Sequence, residues 1–175
     1  MKAAVFSDSH GEIENLKEAA ETAVRESADI LIHLGDNYED AAVLDGFGKK
    51  IIKVPGVFSE FYKDPGIPNR VVETIAGRKI LISHTETSHP NDISGDLNPE
   101  EIISGGEVDF AFVGHTHIPK IEKRGNVSVV NPGHLKSSDK RGFSPSFAVI
   151  DFSNGKIRIF DLKTGGVIKE VNFPR

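Results

Sequence analysis

The chain contains no cysteine, no tryptophan and no glutamine, and its one methionine is Met1. Without cysteine there is no disulfide framework, no thiolate zinc site and no cysteine nucleophile, so any bound metal must take oxygen and imidazole ligands. Apolar runs fall short of the roughly 18 residues that a membrane span needs, and the start, MKAAVFSDSH, has neither a long apolar core nor a small-residue cleavage site. These absences read as a soluble, unexported, cytoplasmic protein with no membrane partner. No run of lysine or arginine exceeds two residues and the formal net charge is -5, which removes the basic surface an extended nucleic-acid interface rests on.

What is present is globular: 175 residues, 38% hydrophobic and 27% charged, enough for one domain spanning 1–175. Lys2–Ser7 is apolar on both faces, as a covered parallel strand should be, and Glu12–Glu26 carries Ile13, Leu16, Ala19, Ala20, Ala23 and Val24 at helical spacing. Strands at Asp29–Leu34 and Lys50–Val54, with a short helix at Glu39–Leu44 between them, extend a parallel sheet. After a Pro- and Gly-rich loop, Pro55–Pro68, strands follow at Arg70–Ile75 and Lys79–Ser83. A polar stretch, Thr85–Leu97, ends at Asn98, a helix N-cap, with Pro99 at the first helical position and Glu100 and Glu101 in the first turn. Beyond Asp109 the pattern is strand and turn, at Asp109–Val113, Ile118–Lys123, Val127–Val130, Ser146–Phe152, Lys156–Leu162 and Val167–Phe173. Asn154 and Gly155 signal a two-residue hairpin. A parallel βα part followed by an antiparallel part predicts an α/β fold: two packed mixed β-sheets flanked by helices, a four-layer sandwich, because one sheet would strain to hold about ten strands.

Several apolar runs end on side chains that hold metals: VFSDSH at Asp8 and His10, LIHLGD at Asp36, KILISH at His84, and FAFVGHTH at His115 and His117. Ligands in open α/β sheets bind outside the carboxyl ends of the strands, so these groups should converge although remote in sequence. Asp8 with His10, and His115 with His117, have chelating spacing, while a carboxylate at Asp36 offers two oxygens that can bridge ions about 3.5–4 Å apart. Such a set fits manganese, iron, zinc or nickel better than calcium or an all-oxygen magnesium site.

The ordered motifs D-x-H (Asp8, His10), G-D (Gly35, Asp36), a strand-end His84 and G-H-x-H (Gly114, His115, His117) resemble the calcineurin-like metallophosphoesterase superfamily. The length, with N-P-G at Asn131, Pro132 and Gly133, is similar to its small single-domain phosphodiesterase branch. The resemblance implies two divalent ions, manganese foremost, with Asp8, His10 and His117 on one, His84 and His115 on the other, and Asp36 between them. It further implies hydrolysis of a small phosphate ester, a diester before a monoester, by a metal-activated bridging hydroxide, and it permits a homodimer. The alternative on the same fold is a catalytically weak or inactive scaffold, like the retromer subunit that resembles these enzymes.

One position departs from the family. Where an asparagine normally ligates the second metal, the sequence reads Gly56, Val57, Phe58, Ser59, and Val57 has no donor. Ser59, Glu60 and Asn37 are the nearby stand-ins. The loop also lacks an acid for the leaving group, which leaves His134 and His89 as candidates, with His134 favoured. Asn37, Asn131 and Gly133 are the candidate substrate contacts, although Asn131 and Gly133 read most simply as turn residues. His33, inside a strand, reads as a packed supporting residue and not a ligand. Phe58, Phe61 and Tyr62 read first as a loop packing its own aromatics, and Lys136, Lys140 and Arg141 as solvated surface.

Overall fold

The computed structural model describes residues 1–174. In chain order it forms β1 (Lys2–Phe6), α1 (Ile13–Arg25), β2 (Ile30–His33), β3 (Lys50–Lys53), β4 (Arg70–Ile75), β5 (Arg78–Ser83) and α2 (Pro99–Gly105). Then come β6 (Phe110–Phe112), β7 (Lys120–Arg124), β8 (Val127–Asn131), β9 (Ser146–Asp151), β10 (Lys156–Asp161) and β11 (Val167–Asn172). One sheet has six strands in the order β11-β10-β9-β1-β2-β3, and the other five in the order β4-β5-β6-β8-β7.

Alternation along each strand makes the layers. Ala3 and Val5 of β1, Ile30 and Ile32 of β2, Ile80 and Ile82 of β5, and Phe110 and Phe112 of β6 meet in one core between the sheets. The opposite faces carry Ala4, Phe6 and Leu31, which pack under Leu16, Ala19, Ala20 and Ala23 of α1. Leu81 and Ala111 pack under Ile102 and Ile103 of α2. The result is the expected four-layer arrangement, helix on sheet on sheet on helix. α2 begins as read from the sequence, with the Asn98 side chain accepting from Glu101 N at 3.2 Å and Pro99 at the first turn, and it ends at left-handed Gly106.

The sequence reading is corrected in four places. The sheets do not follow the order of the chain, because β9 from the last third pairs antiparallel with β1 and closes the first sheet. The segment expected as a helix at Glu39–Leu44 is a run of 3-10 turns over Tyr38–Phe47, and another such turn forms at Glu60–Lys63 inside the loop. The strand expected from Ile118 starts at Lys120. The β9–β10 connection holds four residues, since Asp151 faces Lys156. The Asp151 carboxylate accepts from Ser153 N and Asn154 N at 3.1 Å each, an Asx turn that takes up the two additional residues.

The loop Thr85–Leu97 is tied down by Arg70, whose side chain is 1% exposed. Its guanidinium meets Asp92 Oδ1 at 2.9 Å, the Tyr62 hydroxyl at 3.1 Å and the Leu97 carbonyl at 3.1 Å. This network fixes the segment that carries His89 and Asn91 toward the end of the sandwich where β1, β2, β5 and β6 terminate.

Candidate metal centre

β1 and β2 run parallel in one sheet and β5 and β6 run parallel in the other. Their carboxyl ends meet across the sandwich, where His84 Nδ1 lies 2.9 Å from the Leu34 carbonyl of the opposite sheet. Asp8, His10 and His117 bring donor atoms within 4.8 Å of one another, as do Asp8, Asp36 and His84. His115 joins them, with Nδ1 3.2 Å from His84 Nε2. All six strand-end residues are therefore brought together. Asp8 stands in both groups, sharing the central place expected for Asp36 alone.

The backbone is bent to achieve this. Asp8, His10, Asp36, His115 and His117 all have φ between 50° and 80°, a left-handed conformation that only Ser27 and Ala76 share among the other described non-glycine residues. Each such residue costs about 1 kcal/mol or more, so the fold holds the turns at the expense of local comfort. Gly56 makes the turn at Asp36 sterically feasible, because a Cβ there would lie 2.4 Å from Asp36 Cα.

Hydrogen bonding aims the imidazoles inward. His84 Nδ1 is held by the Leu34 carbonyl, His117 Nδ1 by Asp139 Oδ2 at 2.7 Å, and His10 Nδ1 by Asp36 Oδ2 at 2.7 Å. With the proton on that nitrogen, the lone pair of Nε2 points into the site. His10 Nε2 and His117 Nε2 then face each other at 3.0 Å, and His84 Nε2 faces His115 Nδ1 at 3.2 Å. Each contact is close enough for one shared proton or, in its place, one cation that takes a lone pair from both rings. Two nitrogens bound at about 2.0–2.1 Å to one ion at ordinary octahedral or tetrahedral angles are themselves roughly 2.8–3.4 Å apart. The donor set thus fits a divalent metal in both chemistry and spacing.

The electrostatics agree. Burial works against charge on Asp8, but hydrogen bonds from His117 and Ser7 and the charge of His84 hold its pKa down at about 2, so it is a carboxylate. His115 is shifted down by burial and by His84, which keeps it neutral and able to donate its lone pair. At His117 burial opposes the charge, but Asp8 and Asp139 outweigh it and raise the pKa. Asp139 itself lies well below the usual carboxylate range because the Arg141 N–H and His117 overcome its burial.

The remaining candidates fall differently. Asn37 is exposed at the rim, with its amide within 3.3 Å of Asp36 Oδ2 and 3.2 Å of Gly11 N. Asn131 is fully buried, its Nδ2 donating to the Gly114 carbonyl at 2.8 Å and to Thr116 Oγ1 at 3.0 Å, while its Oδ1 accepts from Gly133 N at 2.9 Å. As the last residue of β8, beside β6, Asn131 lies under the GHTH turn and braces it together with Gly133. His134 is also buried, with Nδ1 accepting from Lys136 N at 3.0 Å and Nε2 3.1 Å from the Phe143 carbonyl. Both ring nitrogens are engaged, and burial lowers its pKa. His89 is partly exposed, and its Nδ1 accepts from Asn91 N at 3.1 Å, leaving the ring proton on Nε2. Val57 is 2% exposed and offers no donor, and Ser59 Oγ caps the following turn by accepting from Phe61 N at 3.3 Å.

Residues unmarked in the sequence complete the site. Asp139 orients His117, and Lys136 and Arg141, read above as plain surface, flank it at 4.0 and 3.6 Å. His33 is fully buried, with Gly35 N donating to its Nδ1 at 3.3 Å and Ser9 Oγ 3.2 Å from its Nε2. Ser9 Oγ donates to Asp40 Oδ2 at 2.7 Å, and Asp40 also accepts from Gly11 N at 2.8 Å. Asp139 lies in an irregular segment and Asp40 in the 3-10 turns of Tyr38–Phe47, where no helical period marks it.

Two mixed sheets whose parallel strands end in a cage of carboxylates and imidazoles define a metallophosphoesterase fold. The chain belongs to the calcineurin-like phosphoesterase superfamily, whose domain profile matches residues 1–155. Among solved structures it is similar to the phosphoesterase YfcE from E. coli, with 22% identity and a TM-score of 0.74 over 99% of this chain and 100% of that one. A novel archaeal phosphodiesterase matches at 22% identity and 0.68, again over 99% and 100%. Vps29 from Entamoeba histolytica, complexed with zinc, matches at 21% and 0.71 over the same shares. No curated protein matches.

Proposed function

We propose that this protein is a divalent-metal-dependent phosphoesterase that cleaves small phosphodiesters. The observation that carries this reading is the pair of close imidazole contacts, at 3.0 and 3.2 Å, within reach of Asp8 and Asp36. Asp8, His10 and His117 would hold one ion and His84 and His115 the other, with Asp36 next to both. Manganese suits this set best, and iron, zinc or nickel are compatible. Such ions supply positive charge that lowers the pKa of water and neutralises the phosphate as charge develops. The chain's own part is to hold the imidazoles of His10, His84 and His117 by their far nitrogens, to keep Asp8 ionised, and to place Asn37 at the rim as a hydrogen-bond donor to phosphate.

His89, with Nδ1 accepting from Asn91 N, would assist the leaving group by a hydrogen bond from Nε2–H at the edge of the site, with no proton transferred from the ring. Diesters with good leaving groups need the least help of this kind. Val57 leaves one of the two positions short of a protein donor, which also tells against the more demanding alkyl monoesters. A scaffold reading draws on that same loss and on the similarity to Vps29, but it gives no reason for the strained left-handed turns at five of the six ligand positions.

The test is hydrolysis of an aryl phosphodiester by manganese-loaded protein, with Asp36→Ala and His115→Ala alongside. Cleavage that both substitutions abolish is the expected result. Absence of turnover with manganese, zinc, nickel and iron in turn, in folded protein, would overturn the proposal.

A further inference from the structure

Phe58 is the most exposed large apolar residue of the described chain, at 74%, and it sits at the mouth of the candidate metal centre. Its loop neighbours have ordinary packing roles, with Tyr62 1% exposed and Phe61 against Tyr38 at 5.0 Å between ring centroids. Self-packing of the loop accounts for those two and leaves Phe58 out. An exposed phenyl forgoes the roughly 1.5–3 kcal/mol that burial of such a side chain returns, so its position asks for a partner.

The ring is presented by fixed backbone. Val57 is buried, its carbonyl accepts from Asn91 Nδ2 at 2.8 Å, and Ser59 caps the next turn. Phe58 meets His89 edge-on at 5.6 Å and lies 6.2 Å from the His115 ring. One face of the site is thus bounded by a phenyl platform between a candidate metal ligand and His89. Next to it opens a cleft of about 300 Å³ lined by Asp36, Asn37, Glu39, Phe58, Ser59 and Glu60. Its side chains offer carboxylate and hydroxyl acceptors, and none of them is a cation.

We infer that Phe58 and this cleft form a subsite for the leaving group of the diester, selecting a flat aromatic ring that carries N–H or O–H donors and no negative charge, a group of the nucleoside kind. The ring stacks on Phe58, as bases stack on aromatic side chains in a sequence-tolerant way. Its donors reach Glu39, Glu60 and Ser59. A leaving group bearing a second phosphate or a carboxylate would be repelled by the same residues. The inference rests on the phosphodiesterase reading and adds the identity of what departs.

The experiment compares a dinucleoside monophosphate with glycerophosphoglycerol, diesters whose alcohol leaving groups are alike in acidity but differ in the ring. Wild type, Phe58→Ala and Phe58→Tyr are assayed with manganese, and binding of adenosine and of glycerol 1-phosphate to each metal-loaded protein is measured by calorimetry. Wild type should favour the dinucleoside substrate about tenfold or more in kcat/KM, mainly through KM. Phe58→Ala should collapse that preference and weaken adenosine binding to a similar degree, and Phe58→Tyr should restore both. Turnover of both diesters with a ratio that Phe58→Ala leaves in place overturns the subsite and spares the phosphodiesterase reading. Lack of turnover with adenosine binding that depends on Phe58 overturns that reading and the leaving-group role with it. Circular dichroism of each variant distinguishes these outcomes from loss of fold.

Discussion

Acidification of the metal-free protein from pH 7.5 to pH 5 should weaken its folding by about 2 kcal/mol through His33 alone. The ring is completely buried, and burial is the main force lowering its pKa from 6.5 to about 4, against partial opposition from Asp40 and Asp8. Its Nδ1 accepts from Gly35 N, so protonation would both place a charge in the core and break that bond. The unfolded chain takes up the proton near pH 6.5 and the folded chain only near 4, so stability is complete above 6.5 and declines as pH falls between those values. At pH 5 the loss is about 2 kcal/mol, approaching roughly 3 kcal/mol below pH 4. The depressed carboxylates Asp8 and Asp139 also lose stability on acidification, but in a lower window, below their unfolded value of 3.8. His117, with its raised pKa, acts in the opposite sense, contributing fully below 6.5 and less as pH rises through its folded value. Urea unfolding in a chelator at pH 7.5, 6.5, 5.5 and 5, for wild type and His33→Asn, isolates the histidine. The difference in stability between them should shrink by about 2 kcal/mol toward pH 5. Parallel pH profiles for the two proteins would refute the assignment of a buried, neutral His33, whatever the offset between them.

Three further substitutions probe other parts of the site. Asp139→Asn should reduce manganese or zinc affinity by about 10–100-fold, as loss of the carboxylate behind a ligating histidine typically does, with little change in secondary structure by circular dichroism. Unchanged affinity in a calorimetric titration would show that the 2.7 Å contact with His117 does not orient the ring. Gly56→Ala should cost about 3 kcal/mol and lower metal occupancy, because its methyl would fall on the Asp36 backbone; a melting temperature within a degree of wild type would contradict the close approach. Arg70→Met should cost about 3–5 kcal/mol by leaving Asp92 and Asp96 without their partner. It should also make the Thr85–Leu97 amides exchange faster with deuterium.

The strand ends were legible because strands covered on both faces read as unbroken apolar runs, and the polar residue that stops each run is the one that reaches the site. Asp8, Asp36, His84 and His115 are all of this type. The pairing of β9 with β1 was not legible, since alternation along a strand says which face is buried and nothing about which strand lies beside it. Asp139 was not legible because a carboxylate in an irregular segment has no period to betray its direction, and Asp40 because the segment forms 3-10 turns in place of the helix its pattern suggests. For Asn131 and His134 the direction is not legible for the related reason that a side chain next to a turn can point under it as easily as out of it. Val57 is read directly from the sequence, and the structure buries it while exposing Phe58 one residue on.

The most direct test of the central claim is an anomalous-scattering map from crystals of manganese-loaded protein. Two peaks are expected, one within bonding distance of Asp8, His10 and His117 and the other of His84 and His115, with Asp36 next to both. A map without peaks at these side chains, in crystals where the strand ends are ordered, would contradict the metal cage on which the proposed chemistry stands.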